Sequence, residues 1–240
     1  FTGRPWKIYA SDVRSNVNPL DSHYAKTSLV SLEDTCNKGG GSIWDLSELR
    51  EVSKVSRELG LAVHLDGARL WNAIVARGIH NDVKALQEYG SNFDSISLCF
   101  SKGLGCPIGS VLIGSTSFIA KAHRARKVFG GGMRQAGIVA AAGIYALENN
   151  IDRLEIDHAR AKRLGEAALH HPSVISHYPI DTNIVILELQ KGVDADALSA
   201  EWGRNGIECF QFGPSSIRFV THLDNTDAQI DAACNYLSKI

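Results

Sequence analysis

Three short β-rich runs, SLVSLE (28–33), LAVHLD (61–66) and SISLCF (95–100), are separated by stretches with helical spacing. No other feature of the chain constrains its fold as much. Strands that alternate with helices need crossover connections. These build a mostly parallel sheet flanked by helices on both faces, an α/β fold. The first helical stretch is marked at both ends, by Asp45 as an N-cap and by Gly60 as a terminator. Glu48 stands three residues after Asp45, as in a capping box. Between these ends Leu46, Leu49, Val52, Val55 and Leu59 recur at helical spacing. GARLWNAIVARG and a stretch near 80–90 supply the next helices. SVLIGS follows SISLCF too closely for a crossover, so the spacing predicts an antiparallel strand there.

STSFIAKAHRARKVFG reads as an amphipathic basic helix, followed by GGGMRQ. A long helix is predicted from near Met133. Its AGIVAAAGIYAL segment is apolar all round, which predicts deep packing. The helix continues through IDRLEIDHARAKRLGEAAL towards His170. Beyond His171 the texture changes: NIVILEL, IECFQF and SIRFVTH read as strands, with helices around 194–205 and 226–239. The expected organisation is a large domain over 1–150 and a small C-terminal α+β domain over 151–240.

The net charge of −1 over 240 residues excludes the basic footprint of a nucleic-acid binder. No apolar run approaches a membrane span, and no charged-then-apolar leader opens the chain. The five cysteines are scattered without a C-x-x-C, which reads as reduced thiols. The expectation is a cytoplasmic protein that acts on a small molecule, with no nucleic-acid or membrane partner. The chain opens on Phe1, and FTGRPWKIY has neither a capped helix start nor a signal-peptide pattern. A missing upstream segment is therefore expected.

SKGLGCPIG, between two apolar strands, carries a single lysine, Lys102. A surface lysine in a β-turn is the plain alternative. The loop lies at a strand end, where open α/β sheets bind ligands, and its glycines leave room for a planar group. A lysine desolvated there loses proton affinity and becomes the amine needed for a Schiff base. In HLDGARL, Asp66 lies two residues after His64, so the two side chains share one sheet face. A metal pair lacks a third ligand at useful spacing. A helix cap remains open for Asp66, as does a carboxylate aimed at a pyridinium nitrogen. Arg69 offers a planar fork for a carboxylate or oxyanion. Lys102 and Asp66 together meet the needs of pyridoxal phosphate.

HLDGARLWNA, SISLCFSKGLGCPIGSVLIGS and RKVFGGGMRQAG, in that order, closely resemble the threonine aldolase family of fold-type-I pyridoxal phosphate enzymes. DSHYAKTSLVSLEDTCNKGGG fits the segment that precedes them. The resemblance runs from about residue 20 almost to the end. It implies Lys102 as the lysine that binds the cofactor and Asp66 as the partner of its ring nitrogen. Arg69 and Arg218 would bind the amino-acid carboxylate, and His23 would stand near the substrate β-hydroxyl. Lys127 and Arg134 would lie near the cofactor phosphate or a dimer-shared site. The implied reaction splits a β-hydroxy-α-amino acid, such as threonine or allo-threonine, into glycine and an aldehyde. Another pyridoxal phosphate lyase, an aminotransferase and a fragment without cofactor are the alternatives. The resemblance leads to the expectation that the family's first strand-helix region, with a cofactor phosphate loop, is missing from this chain. A homodimer or homotetramer is expected, with a cleaved N-terminal segment as a further companion. No G-x-G-x-x-G follows the first strand, which argues against a nicotinamide enzyme.

Overall fold

The computed structural model describes residues 6–239; residues 1–5 of the opening FTGRPWKIY lie outside the described residues. The chain divides into two compact units, Phe1–Thr35 with Trp44–Ile151, and Cys36–Ile43 with Asp152–Ile240. A single division at residue 150 therefore misplaces Cys36–Ile43. The reason is local bonding: the Thr182 hydroxyl donates to the Gly41 carbonyl at 2.6 Å, and the Ile43 N–H donates to the Asp181 carboxylate at 3.1 Å.

The first unit contains α1 (Ala10–Ser15), β1 (Leu29–Glu33), α2 (Leu46–Glu58), β2 (Ala62–Gly67) and α3 (Leu70–Ala76). It continues with α4 (Val83–Gly90), β3 (Ser95–Cys99), β4 (Ser110–Gly114), α5 (Thr116–Val128) and α6 (Gly137–Asn149). The strands form one sheet in the order β1-β2-β3-β4. β1, β2 and β3 are parallel, and β4 is antiparallel to β3, as its short connection requires. Asp45 caps α2 by accepting from the Ser47 N–H at 2.8 Å. Glu48 does not close a capping box. It takes the Lys7 ammonium at 3.0 Å instead.

Strand alternation gives the sheet two unlike faces. Val30, Leu32, Val63, Leu65, Ile96 and Leu98 are buried on one of them. The other carries Ser31, Glu33, His64, Asp66 and Ser97, which are exposed or half-buried. The sheet is the mostly parallel α/β arrangement that the sequence predicts, with its polar face more open over β1 and β2 than its apolar face.

Two expectations for the helices need correction. The long helix is two helices, because α6 ends at Asn149 and the next begins at Leu154. Asn150 turns its side-chain amide to the Leu104 carbonyl at 2.8 Å, a side-chain bond that competes with helix continuation. The helix also starts at Gly137, after Gln135 takes a left-handed φ of 52°. Nor is α6 deeply packed. Only Gly143 and Ala146 are buried, while Ile138 is 86% and Tyr145 63% exposed. Apolar composition sets a preference for cover; it does not supply the neighbour.

The second unit contains α7 (Leu154–Ala168), β5 (Val174–His177), β6 (Ile184–Leu189), α8 (Ala195–Arg204), β7 (Phe210–Gly213), β8 (Ser216–Val220) and α9 (Asp227–Leu237). Its sheet is antiparallel, in the order β5-β6-β8-β7. Its core centres on Trp202, which stacks on Phe219 at 5.7 Å and meets the His171 ring edge-on at 5.2 Å.

His158, buried in α7, has its pKa pulled down to about 4, by burial first and by Lys162 second. An unfolded histidine titrates near 6.5. Between these values the unfolded chain binds a proton that the folded chain refuses. The stabilisation is therefore complete above pH 6.5 and is lost as pH falls towards 4. His171, also lowered by burial, adds to the same slope. The expected result is a wild-type stability that falls between pH 7 and pH 5, by up to ~1.4 kcal/mol per unit from this one group. His158→Gln should flatten part of that slope in denaturant titrations. Equal slopes in the two proteins would disprove it.

Candidate active site

Glu33 pairs in register with Asp66, and Asp66 with Ser97, so all three share a face near the carboxyl ends of parallel strands. Lys102 follows the end of β3 by a few residues. The chain thus delivers a carboxylate and an amine to one end of the sheet, the end at which open α/β sheets bind ligands. Gly67 lets the end of β2 pack tightly against β3 and the start of α3. A Cβ there would lie 2.7 Å from the Ser97 carbonyl oxygen and 3.0 Å from Leu70 Cβ.

Asp66 is exposed, and its Oδ1 accepts from the Ala68 N–H at 3.0 Å. It does not cap α3, whose N-cap position is Arg69. Burial lowers the proton affinity of the Arg69 guanidinium, and Glu33, Cys99 and Asp66, in that order, oppose it. Arg69 is therefore a cation set among strand-end anions and a thiol. His64 shares the Asp66 face, but its Nδ1 lies 2.8 Å from the Ser95 hydroxyl.

The Lys102 loop is tied down by its own backbone. The Gly105 N–H donates to the Lys102 carbonyl at 2.8 Å, and the Cys106 N–H to the Phe100 carbonyl at 3.1 Å. Leu104 and Cys106 point inward and are buried. Gly105 and Gly109 hold φ values of 75° and 134°, so the backbone itself requires them. Lys102 is exposed, not desolvated as the sequence predicts: Leu104 and Cys106 take the inward positions of the loop, while Lys102, Pro107 and Ile108 face outward. Its Nζ has no hydrogen-bond or ion-pair partner among the described residues.

The other expected site residues are not gathered as tightly. His23 is 87% exposed, in the loop that enters the amino end of β1, and its Nδ1 lies 2.7 Å from Asp21. The His23 backbone N–H, and second this ring contact, hold the Asp21 carboxyl below its usual range. No hydrogen bond joins His23 to Lys102, Asp66 or Arg69 among the described residues. Lys127 is in the last turn of α5 and lies along Gly132, and Arg134 is exposed ahead of α6. Arg218 belongs to the second unit. It sits on β8 between Ile186 and Phe210, with its guanidinium 5.7 Å from the Phe212 ring.

Sequence reasoning missed Glu33 and the buried group of Asp34, Arg77 and Tyr89 beneath it. Glu33 was detectable: it closes SLVSLE as Asp66 closes LAVHLD, and parallel neighbours in register share a face. Asp34, Arg77 and Tyr89 carried no signal, since their meeting depends on residues far apart in sequence.

The donor set fits pyridoxal phosphate. An open carboxylate and an unpartnered amine stand at neighbouring strand ends, and Arg69 lies beside the carboxylate. A mostly parallel α/β sheet with a charged site at its carboxyl ends is the class that the geometry defines.

Within that class, the chain belongs to the beta-eliminating lyase family, whose sequence model matches residues 6–191. It is 46% identical over 182 residues to the low-specificity L-threonine aldolase of Candida albicans, covering 75% of this chain and 46% of that protein. With the low specificity L-threonine aldolase of Escherichia coli K12, identity is 40% over 218 residues, covering 91% and 62%. The chain thus spans less than two thirds of either relative. A threonine aldolase structure from Leishmania major shares the fold, with a TM-score of 0.78 at 20% identity. That match covers 97% of this chain and 67% of the other.

Proposed function

We propose that the full-length protein is a pyridoxal phosphate-dependent aldehyde-lyase that cleaves a β-hydroxy-α-amino acid, threonine or allo-threonine, to glycine and an aldehyde. The observation that carries this reading is the placement of Lys102 and Asp66 at neighbouring strand ends, in a chain 46% identical to a threonine aldolase. When bound, the cofactor supplies an electron sink for the bond broken at the substrate α-carbon.

The chain's own residues have separate tasks. Lys102 Nζ is the amine to which the cofactor attaches. With the cofactor bound, the Asp66 carboxylate would hold the proton on its ring nitrogen. Lys127 and Arg134 supply positive charge for the phosphate. Arg69 presents a planar fork to the substrate carboxylate. His23, or a water it positions, takes the proton from the β-hydroxyl, and Asp21 holds its ring through Nδ1. A cytoplasmic homodimer or homotetramer completes the reading.

Incubating the full-length protein with pyridoxal phosphate and L-threonine or L-allo-threonine should release glycine and acetaldehyde in equal amounts. Release of ammonia and a 2-oxo acid instead would assign β-elimination. An absence of every product would remove the enzymatic reading.

A further inference from the structure

We infer that Arg77, Asp34 and Tyr89 form a buried positioning network that fixes the strand end carrying Glu33 and Asp66, the face on which the proposed cofactor would lie. The inference rests on the proposed function, and its starting point is an unusual place for charge. Asp34 directly follows β1 and is fully buried, and the Arg77 side chain is only 7% exposed.

The side-chain contacts of Asp34 all meet at one carboxylate oxygen, Oδ2; its Oδ1 is buried without a hydrogen-bond partner among the described residues. Asp34 Oδ2 accepts from the Tyr89 hydroxyl at 2.8 Å and pairs with Arg77 Nη2 at 3.0 Å. The same Nη2 reaches the Trp44 carbonyl at 2.5 Å, and Nη1 donates to the Ala73 carbonyl at 3.2 Å. The Trp44 indole N–H in turn donates to the Glu33 carbonyl at 2.9 Å. The Asp34 N–H donates to the carbonyl of Asp66 itself at 3.1 Å. Arg77 also lies over the Tyr89 ring, 5.4 Å from its centre.

The bonds converge on the backbone at the two residues whose side chains face the site. A buried ion pair is a poor source of stability, because desolvation offsets most of its attraction. What it provides well is direction, since a guanidinium fork and a phenol hold a carboxylate from fixed angles. Burial, then Asp34, raises the Tyr89 phenol well above its usual range, so its hydroxyl keeps the proton it donates. α3 joins the two levels: Arg69 is its N-cap and faces the site, while Arg77 is its C-cap and holds the network.

Removing Arg77 would strand a buried carboxylate and could prevent folding, so the informative variant is Tyr89→Phe, which loses one hydroxyl and keeps the ring. Ser53→Ala is the control: Ser53 bonds the Asn92 carbonyl at 2.6 Å, a buried contact of similar kind away from Asp66. Both variants are made in the full-length protein with pyridoxal phosphate added.

Peptide-resolved hydrogen exchange should show faster exchange around Asp34 and Asp66 in Tyr89→Phe but not in Ser53→Ala. Cofactor affinity and kcat/KM for threonine should each fall about tenfold in Tyr89→Phe alone, as expected when a reacting group is displaced by a fraction of an ångström. Unchanged exchange at the strand end would overturn the inference, whatever the activity. So would faster exchange with cofactor affinity equal to that of Ser53→Ala. A wild-type protein that takes up no pyridoxal phosphate would refute the proposed function, and the inference with it.

Discussion

Lys102→Ala in the full-length protein is expected to lower threonine cleavage by about three orders of magnitude or more, the scale seen when a covalent catalytic group is removed. The thermal unfolding midpoint should not move, because the Lys102 side chain is exposed and bonds nothing among the described residues. That separation of activity from stability is the useful part of the result. Borohydride reduction of the wild-type protein with pyridoxal phosphate should fix the cofactor covalently, and peptide mapping should find it on residue 102. A tag on Lys127 or another lysine would sink the assignment. A loss of activity matched by a loss of folding would show instead that the loop is structural.

Asp66→Asn is expected to bind the cofactor yet lose about a hundredfold to a thousandfold in kcat, comparable to removing one preorganised electrostatic partner from an active site. Asparagine keeps a side-chain oxygen for the Ala68 N–H, so the local turn survives the change. What it lacks is the negative charge that holds a proton on the ring nitrogen. Near-normal turnover would reduce Asp66 to a turn residue. Because Glu33 stands beside Asp66 in register, Glu33→Gln makes a second comparison. It should disturb Arg69 without removing the carboxylate at 66.

Much of the site was legible because its signals are local. SLVSLE, LAVHLD and SISLCF each end at or near a charged or loop residue, and a parallel arrangement brings such ends together. HLDGAR and SKGLG therefore lead to the same end of the sheet, where Asp66 ends β2 and Lys102 follows β3. The surroundings of Lys102 were not legible. A glycine-rich loop between apolar strands suggests burial, but Leu104 and Cys106 take the inward positions and the lysine turns out. The apolar run in α6 misled for a related reason: hydrophobicity states what a segment prefers and not whether a neighbour reaches it.

By itself the sequence determined the order and type of the main elements, the parallel run of three strands and the antiparallel fourth, and the strand ends that carry Asp66 and Lys102. These follow from side-chain period, caps and connection length, which act over a few residues. Only the tertiary structure decided that Glu33 lies beside Asp66, that Cys36–Ile43 groups with the second unit, and that Asp34 meets Arg77 and Tyr89 beneath the site. Each of these depends on register or burial between segments far apart in the chain. Such pairings follow from how whole faces pack, and no short stretch of sequence encodes them.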